Sequence, residues 1–178
     1  VIQRTCPTEV VEAGGVRVFE ACLRESPSDV VVGSAGRALR QLVQLPEGRE
    51  AILETVGELV HLLDQGRAAA QQHVTGVMAT LVDDVGGQTA ACAAGVAAAL
   101  VKLAASTNTT APVQREAVSI LCKLTSQPDE LASLVAAGTV PPLVSQLRDG
   151  DDAAREEAAC ALERLTSSQQ DTQGHLAI

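Results

Sequence analysis

Aromatic side chains are nearly missing from this sequence: one Phe, and no Trp or Tyr in 178 residues. Base-stacking platforms for single-stranded nucleic acid are therefore excluded. A core must be assembled from Ala, Val and Leu, whose modest side chains let helices approach closely. With strand-favouring aromatics absent and Ala and Leu abundant, composition points to an all-α chain. Clustered cations are also lacking. The net charge is −9 with no Lys/Arg run, which excludes direct nucleic-acid binding, since phosphates must be neutralised.

Long apolar runs are lacking too. The uncharged stretch 85–101, which no other exceeds, is mostly Ala and Gly and falls short of the ~20 apolar residues that a membrane span needs. No basic-then-apolar leader opens the chain. The five cysteines show no C-x-x-C pair. They read as reduced, small apolar residues of an intracellular, cytoplasmic protein. His61, His73 and His175 stand at i, i+4 from no other His or Cys, so no helix carries a local metal site. Neither Gly33/Gly36 nor Gly86/Gly87 is followed by G-K-[ST], and the serines form no nucleophile elbow. DGDD at 149–152 lacks the Gly and the distal Glu of a calcium loop in register. It reads instead as the N-cap and acidic first turn of a helix. The expectation is a chain without catalysis, metal or cofactor.

What the sequence has is a repeat. GGVRVFEACL (14–23), ETVGELVHLL (54–63), AGVAAALVKL (94–103) and GTVPPLVSQL (138–147) align on Val16, Val56, Val96 and Val140 at spacings of 40, 40 and 44. A second set follows: AGRALRQL (35–42), VTGVMATL (74–81), AVSILCKL (117–124) and AACALERL (158–165). Each closes on an apolar pair three apart, the mark of one helical face. A shorter helix precedes each of the first set, as in PEGREAILE (46–54) and PDELASLVAAG (128–138). Pro suits its first turn and a left-handed Gly its end. In the second unit Glu54 and Thr55 stand where that Gly belongs.

Each unit is therefore short helix, turn, helix, loop, long helix. One unit cannot bury its apolar stripe alone, so neighbours must stack. The expected units run approximately 8–45, 46–84, 85–126 and 127–168, with a further one beginning at 169–178, all within one solenoid over 1–178. Leu23, Leu63, Leu103 and Leu147, with Leu42, Leu81, Leu124 and Leu165, are the predicted core, joined by Phe19.

LVAAGTVPPLVSQLRDGDDAAREEAACALERLTS (134–167) resembles one armadillo repeat almost end to end, and VVEAGGVRVFEACL (10–23) resembles the same opening. The resemblance covers essentially the whole chain and implies a right-handed superhelical solenoid of three-helix repeats. It also implies a non-catalytic protein–protein interaction or scaffold module in a larger assembly, in settings that include cytoskeletal and ciliary ones. The targeting arm of a U-box-type ubiquitin ligase and a chaperone cofactor are the rival readings. The opening VIQRTCPTE resembles the tail of a previous unit and the closing GHLAI the start of a next one, so a longer parent chain is expected.

In armadillo proteins the third helices line the inner surface, and an Asn before the last Leu grips extended peptides with help from Trp. Here that position carries Gln41, Thr80, Lys123 and Arg164, and Trp is absent. Import-style peptide clamping is thus not implied. What remains is a ridge of mixed polar groups with two cations in its C-terminal half, suited to an acidic partner segment.

Overall fold

The computed structural model describes residues 2–106 and 108–174, with side chains described for 7–106 and 108–167. Two compact units emerge, Val1–Ala94 and Gly95–Ile178. The first holds α1 (Ile2–Glu12), α2 (Gly15–Glu25), α3 (Asp29–Leu42), α4 (Pro46–Glu54), α5 (Val56–Gln65), α6 (Ala68–Leu81) and α7 (Val85–Ala93). The second holds α8 (Val96–Ala105), α9 (Ala111–Leu124), α10 (Leu131–Ala136), α11 (Val140–Asp149) and α12 (Asp152–Gly174), with a 3-10 turn at Pro128–Glu130 leading into α10. No strand occurs among the described residues.

The turn before each second helix is set by backbone chirality. Gly14, Gly95 and Gly138 take φ of 76°, 74° and 84°, a left-handed conformation that a Cβ would strain. The matching turn between α4 and α5 instead uses Thr55, at φ −111° and ψ 13°, and needs no left-handed residue.

Apolar spacing decides what packs. In the first unit α3 buries Val32, Ala35, Leu39 and Leu42, and α6 buries Ala70, Val74, Val77, Met78 and Leu81. These two stripes face each other, while α2 and α5 lie against α3 and α6 respectively. In the second unit α9 buries Val113, Ala117, Ile120, Leu121 and Leu124 and packs against α8, α11 and α12. Asp151 accepts the backbone N–H of Ala154 at 3.0 Å, so the acidic loop does cap α12.

Seven of the eight predicted core leucines are buried. Leu147 is not: it is 38% exposed, beside Val140 at 37% and Val144 at 40%. These three share one face of α11 at i, i+4 and i+7. The matching face of α8, made by Val96, Leu100 and Leu103, is buried because α9 and α11 pack on α8. No described helix covers it on α11, which turns Leu143 inward instead. Phe19 is half-buried at the edge of a hollow, not in the core.

One recurring tie was not foreseen. Gln71 Nε2 donates to the Leu63 carbonyl at 2.9 Å, Gln114 Nε2 donates to the Ser106 carbonyl, and Arg155 Nε donates to the Leu147 carbonyl at 3.1 Å. All three donors occupy one repeat position, three residues before Val74, Ala117 and Ala158. Each takes a carbonyl at the end of the second helix, where no backbone N–H remains to do so.

Candidate functional site

Lys123 lies near the end of α9 and Arg164 on α12, each directly before a buried leucine, Leu124 and Leu165. A helix residue next to a buried one points about 100° away from it, so both can reach solvent while their neighbours pack. Because α9 and α12 lie together, the two cations line one open hollow of about 380 Å³ with Cys122, Cys160, Glu156 and Glu157. Arg164 Nη1 reaches Thr125 Oγ1 at 3.5 Å, while Thr125 donates to the Cys122 carbonyl at 2.6 Å. Ser119 donates to Glu157 Oε2 at 3.0 Å, which fixes one of the two carboxylates.

Cys122, on the wall of this hollow, is not set up as a nucleophile. Burial, and then the nearby Glu157 carboxylate, push the Cys122 thiol up to about 12. It stays protonated at neutral pH, and a thiol in that state is a poor nucleophile. Among the described residues no group of three or more His, Cys, Asp or Glu could hold a metal ion. No single described helix is long and apolar enough to cross a membrane.

Gln41 and Thr80 hold the matching positions on the neighbouring helices α3 and α6. They do not share a hollow. Gln41 is exposed at the rim of an apolar depression of about 210 Å³ with Pro7, Val10, Phe19 and Leu45. Thr80 is half-buried, and its hydroxyl donates back to the Gly76 carbonyl at 3.3 Å. Thus Lys123 and Arg164 are brought together, and Gln41 and Thr80 keep the register without converging.

Sequence reasoning missed a basic cluster on the same two helices. The His73 ring fills the space above Gly36, where any Cβ would collide with it. The Arg40 guanidinium lies over Gly76 in the same way. Burial, then Arg40 and Arg37, hold the His73 imidazole below its ordinary value, so the neutral form is favoured. Register could have found part of it: Arg37 stands four residues before Gln41, and His73 seven before Thr80.

The armadillo/beta-catenin-like repeat family matches residues 128–167. An engineered protein of known crystal structure is 32% identical with a TM-score of 0.73, the match covering 89% of this chain and 65% of that one. A second is equally similar, and this chain spans 39% of its length. A designed armadillo repeat protein in complex with the peptide (KR)4 is 23% identical, with a TM-score of 0.69 and coverage of 84% and 68%. A computationally designed armadillo repeat protein for modular peptide recognition reaches a TM-score of 0.75 at 20% identity, covering 97% and 75%. Among curated proteins none matches the chain. The chain has the fold of an armadillo-repeat solenoid and matches the repeat itself over 128–167, and armadillo repeats generally serve as non-catalytic scaffolds that bind proteins or peptides.

Proposed function

We propose that this chain is a non-catalytic scaffold module that holds an extended segment of a partner protein against its third helices. Its proposed setting is a larger cytoplasmic assembly, cytoskeletal or ciliary in kind. Gln41 and Thr80 are the contact residues of the first unit, and Lys123 and Arg164 those of the second. The observation that carries this reading is the shared hollow of Lys123 and Arg164. An acidic partner side chain placed there meets two cations at once, while Glu156 and Glu157 on the same rim favour a basic residue beside it. With few aromatics available, affinity must come from charge and many modest contacts. Each exposed pair contributes about 0.2–1 kcal/mol.

The test is a displayed peptide library panned against the full chain, followed by affinities for the peptides that enrich. Acidic residues should be enriched. The double variant K123E/R164E should weaken binding about tenfold, roughly 1.4 kcal/mol, with the thermal midpoint nearly unchanged. Unchanged affinity in the double variant would place the peptide elsewhere and end this reading.

A further inference from the structure

A second site lies on the other helices of the first unit, away from α3 and α6. Between α2 and the α4–α5 turn is a cavity of about 510 Å³, lined by Arg17, Glu20, Arg24, Glu54, Thr55 and Glu58 among others. Two departures from the repeat meet in it. Glu20 occupies the position that Val60, Leu100 and Val144 fill in the other units, yet it is only 4% exposed. Thr55 stands where the other units place a left-handed glycine. The two departures explain each other, because Thr55 donates its hydroxyl to Glu20 Oε1 at 2.6 Å.

One hydroxyl satisfies one oxygen. Glu20 Oε2 has no hydrogen-bond partner among the described residues. No buried side-chain oxygen or nitrogen among them is left orphaned, so Oε2 opens into the cavity instead of being sealed. A carboxylate in that position keeps only the water the cavity admits, and a largely buried charge gains from a direct partner. Neither arginine on the wall supplies the partner. Arg24 is already bound to Glu25 at 3.0 Å and Glu58 at 3.1 Å, and both Arg17 and Arg24 act on Glu20 through charge alone, without a hydrogen bond to it.

We propose that this cavity receives a single cationic side chain, lysine or arginine, from a protein docked on the α2–α5 side of the first unit. The lining sets three carboxylates against two guanidiniums. An anion would confront Glu20 and Glu54, and an apolar group would leave the carboxylate dry. An ammonium or guanidinium group completes the unfilled half of the carboxylate with a charge-assisted hydrogen bond. The direction of Glu20's titration agrees: burial, opposed by the Thr55 hydrogen bond, reinforced by the Glu58 charge and opposed by Arg17 and Arg24, raises it above the ordinary carboxylate value, and an arriving cation in direct contact would bring it back down.

The experiment follows the Glu20 side-chain carboxyl by carbon-13 NMR in the full chain, with N-acetyl-lysine methylamide as the probe. N-acetyl-norleucine methylamide serves as the neutral control and inorganic sulfate as the anionic one. The lysine derivative should shift the Glu20 resonance saturably and lower its titration midpoint, with neither control doing so. E20Q, which keeps an acceptor for Thr55, should bind at least about tenfold more weakly at an unchanged circular dichroism spectrum. The wild-type midpoint shift stands independently should that variant misfold. The proposal falls if the lysine derivative gives no saturable shift, if norleucine matches it, or if sulfate alone perturbs the site.

Discussion

Arg49 Nη2 stands 2.6 Å from Asp84 Oδ2 and also donates to the Leu81 carbonyl, so one guanidinium holds the end of α6 and the start of α7 together. Asp84 has a second task as the N-cap of α7, accepting the Gly87 N–H at 2.8 Å. That bond first, and Arg49 second, hold its carboxyl below the ordinary aspartate value.

The two partners should therefore not cost the same when replaced. R49M strands a carbonyl at the negative end of a helix and also gives up the exposed ion pair, and should lose about 1.5–3 kcal/mol. D84N keeps a good N-cap and gives up only a largely exposed ion pair, and should lose less than about 1 kcal/mol. Urea unfolding followed by far-ultraviolet circular dichroism measures both. Equal losses would show that the ion pair, not the carbonyl contact, is what matters.

Leucine truncations should separate the two faces of the second helices. L63A, at a fully packed position, should destabilise by about 2–5 kcal/mol. L147A, at the same repeat position but exposed, should cost under about 1 kcal/mol. The same unfolding assay compares them, and a large loss in L147A would mean that α11 is covered in solution.

His73 makes stability depend on pH. Its folded-state value lies below the ordinary one, so the unfolded chain takes up the proton first as pH falls. Stability should be full above the ordinary histidine value and decline as pH drops through it toward the lower, folded value. H73Q should remove that slope. Urea midpoints in neutral and mildly acid buffers report it, and an identical slope in H73Q would move the effect to another group.

Val140, Val144 and Leu147 form an open apolar face, and the chain should self-associate through it at high concentration. V144E/L147E should abolish the rise in light scattering with concentration while leaving helicity intact. Scattering that stays flat in the wild-type chain would show that the face is too small to hold a copy.

The repeat was legible because the features that set it are local. A left-handed glycine and an apolar pair three apart have fixed consequences for the backbone, and Gly14, Gly95 and Gly138 all behave as read. Leu147 was misjudged because its pattern is identical to that of Leu103. Pattern states which face is apolar, not whether a neighbour lies on it. Glu20 was illegible for a different reason. An acid on an amphipathic helix reads as solvated, and only the Thr55 hydroxyl, 35 residues away, shows why it can be buried. Register shows that Lys123 and Arg164 hold one repeat position, which the structure sets on one hollow, but it could not show that the Thr80 hydroxyl turns back to its own helix.

The ties from Gln71, Gln114 and Arg155 each span eight residues of sequence, which carries a kinetic consequence. Loops this short close in roughly 10–100 ns, so each helical hairpin can form its own clasp before any neighbour arrives. The first repeat has Val32 at that position, which can donate nothing from its side chain. Its α2–α3 hairpin should be the slowest to lock and the first to exchange amide protons with solvent. Along the chain, opening would then start at one end and travel hairpin by hairpin, giving a staircase of exchange rates in place of a single cooperative step.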